Sequence, residues 1–275
     1  MLTNPRATRV KAVRALGRRS ARERAHRFVA DGPQSVREVL RFAPATAVEV
    51  YVDGETAQRH ADLLEQARAA DVPVHDCTAQ VLAELADTQH PQGILAVCRP
   101  VDVPLDDALD PVVEPTAGFV VVLAQVRDPG NAGTVLRGAD AAGARAVIVT
   151  DSSVDLYNPK VVRSTAGSLW HLPVVVGAPL ESVIDGCRRR GIAVFAADGA
   201  GEVLLPDADL HGPHAWVMGN EAWGLPHEVR DRCDEVVRVP IHGHAESLNL
   251  AMAATICLYA SAAAQTPVKS TASRR

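Results

Sequence analysis

The chain has 275 residues, with 28 Lys and Arg against 33 Asp and Glu, a formal net charge of −5 and 47% hydrophobic residues. This composition is that of a globular protein and excludes a mostly disordered chain, while the absence of an apolar run of 18 residues argues against a membrane-spanning helix. Five scattered cysteines without a CxxC pair indicate the reduced thiols of a cytoplasmic protein rather than a disulfide framework or a zinc site.

The first 27 residues differ from the rest of the chain in charge. They carry nine basic side chains and one acid, Glu23, which gives +8 within an acidic protein. Local positive charge can bind a polyanion whatever the net charge of the whole molecule. A solvated, arginine-rich surface helix or loose arm explains the same residues equally well.

The following segments alternate between helical and strand patterns. This alternation predicts an α/β unit over residues 28–103, so that the N-terminal domain with its basic leader spans residues 1–103. Residues 104–116 contain three prolines and four acids with little periodicity, and we predict a linker there. The predicted helices cover residues 35–43, 56–72 and 79–87, and the predicted strands cover residues 47–53, 74–78 and 93–101.

A second α/β run occupies residues 117–264. Repeated alternation of apolar strands with helices predicts a parallel sheet covered on both faces. The polar residues 265–275 are predicted to form a disordered tail. The strands are predicted at residues 118–126, 145–151, 172–177, 192–198, 214–219 and 235–241, and the helices at 131–144, 159–170, 180–191 and from Ser247 onward.

Three segments of the second run carry candidate functional residues. In RDPGNAGTVLR, residues 127–137, a turn places Asn131 near a helix N-cap, and Arg137 follows six residues later among small side chains. The segment has a structural reading as well, a capping Asn with a surface Arg. No GxxxxGK[ST] loop, complete dinucleotide fingerprint, HExxH or GxSxG motif occurs in the chain, which disfavours a nucleotide-dependent enzyme acting on small molecules.

The other two segments follow later strands. VMGNEAWGLP, residues 217–226, ends a strand in glycine and places Asn220 and Glu221 on a loop, where parallel sheets usually bind ligands. In VPIHGHAESLNLA, residues 239–251, we expect the helix to begin at Ser247. Asn249 would then lie two positions inside an alanine-rich helix, an unfavourable place for Asn unless its amide makes a specific bond.

Taken in order, NxGxxxR, GNExxGxP and PIx(5)SLNLAxA resemble the three motifs of the SpoU/TrmH family, RNA ribose 2′-O-methyltransferases of the SPOUT superfamily. The segments FVADGPQSVREVL and HPQGILAV resemble the smaller N-terminal substrate-binding domain of that family, which is similar to a ribosomal protein fold. The resemblance implies a C-terminal parallel-sheet domain with a trefoil knot, S-adenosylmethionine as cofactor, and a homodimer. It implies no metal.

The resemblance also assigns roles to individual residues. Arg137 matches the catalytic arginine of the family; because an arginine side chain stays protonated at neutral pH, stabilising a developing alkoxide suits it better than acting as a base. Asn131, Glu221, Ser247 and Asn249 match the remaining polar positions of the motifs. The residues expected to border the cofactor are Gly219, Val239 and Leu248, with Asn220, Ile241 and Ala197 nearby.

The basic leader gains a more specific interpretation from the resemblance, as part of an RNA-docking surface that includes Arg9, Arg18, Arg19 and Arg22. Ribosomal RNA is favoured as substrate because dedicated tRNA enzymes of the family often lack the N-terminal domain. An antibiotic-resistance site on large-subunit rRNA, a tRNA substrate and a non-catalytic RNA-binding or ribosome-assembly factor are the alternatives. Three residues have no settled role: Trp223, which could stack on a base or on adenine or only pack, and His242 and His244.

Overall fold

The structure is a computed structural model that describes residues 1–86, 91–113, 117–220 and 222–265. These residues divide into two compact units. The first unit is discontinuous, because two short segments of the second α/β run belong to it, and the alternation of elements along the sequence gave no sign of this. The first unit comprises Met1–Val101, Ala132–Arg137 and Asp155–His171, and the second comprises Asp102–Asn131, Gly138–Val154 and the chain from Leu172 onward.

The first unit is built on a four-stranded sheet in the order β1-β4-β2-β3. The strands are β1 (Phe28–Asp31), β2 (Ala47–Asp53), β3 (Val74–Cys77) and β4 (Ile94–Cys98). β2 and β3 are parallel, whereas β4 runs antiparallel to both of its neighbours. β4 is buried along its whole length because it is a central strand of five apolar residues.

The described part of residues 1–101 contains six α-helices besides this sheet, and two of them form the basic segment. In the first of these helices Val10 and Val13, followed by Leu16, are buried in a core shared with Val81, Leu82 and Leu85. The basic segment is therefore folded onto the core, which excludes its interpretation as a loose arm. The helices are α1 (Thr8–Ala15), α2 (Arg19–Ala25), α3 (Pro33–Phe42), α4 (Gly54–Arg59), α5 (Ala61–Ala69) and α6 (Ala79–Ala86).

The second unit contains seven parallel strands in the order β7-β6-β5-β10-β8-β11-β9. β5, β6 and β10 are buried at every position, as expected for strands covered on both faces. The predicted parallel α/β sheet is confirmed. The strands are β5 (Phe119–Leu123), β6 (Ala146–Thr150), β7 (Val174–Ala178), β8 (Ala193–Ala197), β9 (Val203–Leu204), β10 (His214–Met218) and β11 (Glu235–Arg238).

The linker predicted at residues 104–116 is wrong over most of its length, because Leu105–Val113 form a helix. Ala108, Leu109 and Val112 lie on one face of it and are fully buried in the core of the second unit. The remaining helices of the chain are α7 (Leu105–Val113), α8 (Pro129–Ala142), α9 (Pro159–Ser164), α10 (Leu180–Arg189), α11 (His227–Arg230) and α12 (Leu250–Gln265).

The predicted tail overlaps α12 by one residue. Gln265, assigned to the predicted tail, is the last residue of α12, whereas residues 266–275 lie outside the described residues. Across the ranges the structure describes, no helix combines the length and apolarity needed to cross a membrane.

A buried polar network fixes the C-terminal half of α12 to the sheet. His214 Nε2 and Trp216 Nε1 lie 2.7 Å and 2.8 Å from the hydroxyl oxygen of Ser261, and His214 Nδ1 lies 2.8 Å from the Gly212 carbonyl oxygen. The geometry fits a neutral imidazole that donates from Nδ1 and accepts from Ser261. Burial lowers the pKa of His214 below its usual value of 6.5.

The network predicts a pH dependence of stability. The unfolded chain takes up a proton on His214 below about pH 6.5 while the folded chain resists it, so this residue makes stability fall as pH decreases below that value. We expect the melting temperature of the His214→Gln variant to change less between pH 7.5 and 5.5 than that of the wild type. Thermal unfolding followed by circular dichroism measures the difference, and parallel curves for the two proteins would contradict it.

Candidate active site

A cavity of about 790 Å³ lies at the carboxyl ends of three neighbouring strands of the second unit. Its walls come from the loops that follow β8, β10 and β11 and from the start of α12. Ligands of open parallel sheets bind at this edge because the loops there converge on one crevice. Ser247 lines the cavity, and so do all six predicted cofactor residues: Ala197, Gly219, Asn220, Val239, Ile241 and Leu248.

The loop after β10 is fixed by hydrogen bonds on both sides. Asn220 and Gly224 exchange backbone hydrogen bonds of 2.9 Å in each direction, and Gly224 adopts a φ of +67°, which favours glycine. The carboxylate of Asp198 accepts from the backbone N–H of Leu225 at 3.0 Å and from that of Ala200 at 2.9 Å. Asp198 therefore ties the loop after β8 to the loop after β10, a positioning role that the sequence did not reveal.

The side chain of Asn220 connects the same loop to the neighbouring strand end. Its Nδ2 donates to the Gln125 carbonyl oxygen at 3.0 Å, and its Oδ1 accepts from the backbone N–H of Ala222 at 2.8 Å. Gln125 has a φ of +61°, an unfavourable conformation for a residue other than glycine. The buried Asn220 amide thus stabilises the chain where β5 leaves the sheet, in addition to lining the cavity.

Two predicted catalytic residues are in direct contact. Asn249 Nδ2 donates to Asn131 Oδ1 at 3.0 Å, which joins the first turn of α8 to the residue that precedes α12. The predicted helix boundaries at both residues are wrong. Asp128 caps α8 by accepting from the backbone N–H of Asn131 at 2.7 Å, and α12 begins at Leu250 rather than at Ser247.

Asn249 consequently occupies the cap position instead of the helix interior. Its Oδ1 accepts from the backbone N–H groups of Ala251 at 2.9 Å and Met252 at 3.3 Å. The amide oxygen caps the helix, and the amide nitrogen donates to Asn131. Ser or Asp would cap equally well, but neither has an amide nitrogen for the second bond. The specific bond expected of its amide is present.

The other candidate catalytic residues are placed differently. Arg137 is exposed on α8, six residues beyond Asn131, and makes no hydrogen bond or ion pair with any residue that the structure describes. Ser247 is exposed in the cavity wall. Glu221 lies outside the described residues. An exposed cation in this position is available to a ligand rather than committed to the fold.

Of the four arginines predicted to bind RNA, three are exposed and one is buried. Arg9, Arg18 and Arg19 are exposed, and Arg19 pairs with Glu23 at 2.8 Å. The side chain of Arg22 is only 6% exposed and bonds to Asp155 and to the carbonyl oxygens of Leu16 and Gly17. The structure argues against an RNA-binding role for Arg22, because its guanidinium already neutralises a partly buried carboxylate within the first unit.

The two histidines near the third motif lie on the protein surface. His242 and His244 are exposed on the loop that leads to α12, and no group of three metal-binding side chains occurs within the described ranges.

Sequence reasoning also missed Arg127, whose guanidinium carbon lies 5.3 Å from the ring centroid of the exposed Trp223. A basic residue beside an aromatic one in adjacent loops gives no recognisable sequence signal.

The cavity satisfies what an adenosine-containing cofactor requires. A Cβ atom on Gly219 would lie 2.5 Å from the backbone carbon of Gly224, so only glycine lets the two loops approach this closely. Met218, Val237 and Leu248 add apolar surface to the wall, as is typical of pockets for small organic ligands. A wholly parallel sheet with such a site defines an α/β domain that binds a nucleoside-like ligand without a phosphate-binding loop.

Comparison with known proteins specifies that class further. Residues 118–259 match the SpoU rRNA Methylase family, and residues 7–96 match the MRM3-like substrate binding domain. The chain belongs to the SpoU rRNA methylase family, and the predicted family is confirmed.

Full-length relatives support the same assignment. The 23S rRNA (guanosine-2′-O-)-methyltransferase RlmB of Bordetella pertussis is 35% identical over 225 residues, 81% of this chain and 91% of that protein. The 23S rRNA (guanosine(2553)-2′-O)-methyltransferase RlmP of Bacillus subtilis is 32% identical over 254 residues, 91% of this chain and 94% of that protein. An AdoMet-bound rRNA methyltransferase from Sinorhizobium meliloti superimposes with a TM-score of 0.83 at 29% identity, covering 94% of this chain and 96% of that one.

Proposed function

We propose that this protein transfers a methyl group from S-adenosylmethionine to a ribose 2′-hydroxyl of large-subunit ribosomal RNA. One observation carries the proposal: six residues expected to border the cofactor, drawn from three separate segments of the chain, line a single cavity at the carboxyl edge of the parallel sheet. The relatives named above act on 23S rRNA and are matched over nine-tenths of their length. Action on rRNA implies a cytoplasmic location.

The cofactor, when bound in the cavity, supplies an electrophilic methyl group. Gly219 and Asn220 would hold it on one side and Val239, Ile241 and Leu248 on the other, with Ala197 at the base of the β8 loop. Because these residues offer mainly backbone atoms and apolar surface, they would bind and orient the cofactor without taking part in proton transfer. The same loops would form the trefoil knot that characterises the family.

The chain must then position and activate the 2′-hydroxyl. We assign Arg137 to that task, as a cation that holds an RNA phosphate and stabilises the developing alkoxide. Asn131 and Asn249 orient the helix that carries Arg137, since their side chains join α8 to the start of α12. Ser247 and Glu221 complete the polar set by their positions in the motifs.

The proposed homodimer has a candidate surface on α12. Met252, Ile256 and Tyr259 are 61%, 42% and 52% exposed and recur at helical spacing along one side of the helix. Large apolar side chains aligned in this way are typical of an interface. The second unit would supply that interface.

The function is tested by incubating the purified protein with tritiated S-adenosylmethionine and protein-free 23S rRNA, with total tRNA as a separate substrate. We expect label in rRNA at one position that resists alkaline cleavage, the mark of ribose methylation. Label in tRNA alone would keep the chemistry and overturn the substrate. Binding of the cofactor without label in naked rRNA or in assembled large subunits would favour a non-catalytic assembly factor.

The RNA-docking surface needs a test that leaves the fold intact. Deleting residues 1–27 would remove Val10, Val13 and Leu16 from the core, so substitution of exposed arginines is required. We expect the double variant Arg9→Gln and Arg18→Gln to bind rRNA more weakly. Its slope of log K against log salt should fall by roughly 0.7 to 0.9 for each phosphate that the variant no longer neutralises.

The matched control replaces Arg188 and Arg189 of α10, which are exposed on the second unit. It removes the same charge from the protein, so net charge alone would lower both slopes equally. Filter-binding titrations at several salt concentrations measure the slopes. Identical slopes for the two double variants would contradict a docking role for the basic segment.

A further inference from the structure

The exposed indole of Trp223 is the largest apolar side chain at the cavity rim that the proposed cofactor contacts leave unexplained. It is 56% exposed, whereas the other two tryptophans of the chain, Trp170 and Trp216, are 7% and 0% exposed. An indole has a large apolar surface that burial would remove from water, so its position in solvent has a cost for the free protein. Trp223 lines the same cavity as the proposed cofactor residues.

Hydrogen bonds hold the chain on both sides of this indole. Paired backbone hydrogen bonds between Asn220 and Gly224 close the turn, and the Asp198 carboxylate holds the next residue, Leu225. Asn220 in turn bonds to the carbonyl oxygen of Gln125. Because these bonds restrain the chain on both sides of Trp223, less backbone freedom is lost when a ligand binds the ring, which lowers the entropic cost of binding.

The guanidinium of Arg127 lies beside the ring. The Arg127 guanidinium carbon lies 5.3 Å from the Trp223 ring centroid, within the range of a cation–π interaction. Arg127 is exposed and makes no ion pair or hydrogen bond with another residue in the described parts of the chain. The pair therefore offers an aromatic face for a nucleobase and, beside it, a positive charge for a phosphate.

We infer that Trp223 and Arg127 form a nucleotide-docking pair for the RNA substrate, with a base stacked on the indole and a neighbouring phosphate bound by the guanidinium. The inference rests on the proposed function and extends it to the contact that holds the substrate at the cavity. Adenine of the cofactor is the competing occupant of the ring. Arg127 favours RNA, because S-adenosylmethionine carries no phosphate and has a net positive charge at neutral pH.

Tryptophan fluorescence gives a direct readout that requires no turnover. Because two of the three tryptophans are buried, acrylamide should quench mainly Trp223. We expect protein-free 23S rRNA to quench this emission by stacking and to protect the residue from acrylamide, and S-adenosylmethionine alone to do neither. A Trp223→Phe variant should lose the RNA-dependent change.

Binding and kinetics test the pair itself. Stacking of a base on an aromatic residue predicts that Trp223→Leu weakens rRNA binding and raises the KM for rRNA by roughly 5- to 100-fold, with Trp223→Phe in between. Arg127→Gln should lower the salt slope by roughly 0.7 to 0.9, and the matched surface variant Arg189→Gln should not. All four variants should keep the cofactor Kd of the wild type, which also verifies that they are folded.

The outcomes separate this inference from the proposed function. Wild-type turnover on rRNA with unchanged rRNA binding in the Trp223 and Arg127 variants would overturn the docking pair and leave the methyltransferase intact. Loss of cofactor binding in Trp223→Leu, with quenching by S-adenosylmethionine alone, would overturn it in favour of adenine. Quenching by rRNA in a wild-type protein that never transfers methyl would support the docking pair and overturn the proposed reaction.

Discussion

Replacement of Arg137 by alanine is expected to reduce methyl transfer to rRNA by about 10²- to 10³-fold, the usual cost of removing one donor that stabilises developing negative charge. The side chain is exposed and is not bonded to any described residue, so its loss should change the free energy of unfolding by less than about 0.5 kcal/mol. The cofactor Kd should stay the same, because all residues proposed to hold the cofactor are elsewhere. Single-turnover assays and calorimetric titration with S-adenosylmethionine measure the two quantities.

Arg137→Lys tests how the charge is used. A lysine keeps the positive charge but lacks the planar, forked guanidinium, which can bind a phosphate and a second oxygen at once. Partial activity in Arg137→Lys would indicate simple charge stabilisation, and activity as low as in the alanine variant would indicate a requirement for the fork. Loss of cofactor binding together with activity, in either variant, would contradict the assignment of Arg137 to the substrate hydroxyl.

The sequence predicted those parts of the fold that depend on local pattern. The apolar segment that became β2 has its predicted limits, Ala47–Asp53, and the buried parallel strands were found from their continuous runs of Val, Leu and Ile. Local pattern failed at α7, where three prolines and four acids with little periodicity suggested a linker. Only the packing of Ala108, Leu109 and Val112 against the second core explains why a helix forms there.

Non-local contacts account for the other differences. Arg22 has the same sequence context as its exposed neighbours, yet it is buried and pairs with the distant Asp155 in addition to the nearby carbonyl oxygens of Leu16 and Gly17. The discontinuity of the first unit has a similar origin, since α9 packs on β1 across more than a hundred residues and Arg163 bonds to Asp31 at 2.8 Å. Sequence spacing contains no information on such pairings, which depend on the folded chain.

The candidate site was predictable to the extent that its residues fall within recognisable motifs. All six proposed cofactor residues were named from the family resemblance, Gly219, Val239 and Leu248 by motif position, and they line one cavity. Their separation in sequence gives no hint of the loop contacts that shape it. Asn249 is an example of a residue whose importance could be predicted from the sequence but whose contacts could not. Its unfavourable helix position was noticed, but its combined use as a cap and as a donor to Asn131 required coordinates.

Gly219→Ala should weaken binding of S-adenosylmethionine by about tenfold or more, which corresponds to at least ~1.4 kcal/mol. The added Cβ would lie 2.5 Å and 2.6 Å from the backbone carbon and oxygen of Gly224, and 2.8 Å from the Leu225 side chain. Backbone atoms cannot move aside as a flexible side chain can, and the Asp198 bond to Leu225 restrains the loop further. The loop after β10 must therefore shift, and with it one wall of the proposed cofactor cavity.

Gly199→Ala is the matched control for this steric argument. Gly199 lines the same cavity, but a Cβ there meets no protein atom within 4 Å, and its backbone does not require glycine. We expect it to retain most of the cofactor affinity, whereas Gly219→Ala should also lose about 1 to 3 kcal/mol of stability through overpacking. Calorimetric titration and thermal unfolding of both variants decide the matter. Equal cofactor affinities for the two proteins would mean that close approach of the backbones at Gly219 does not shape the site.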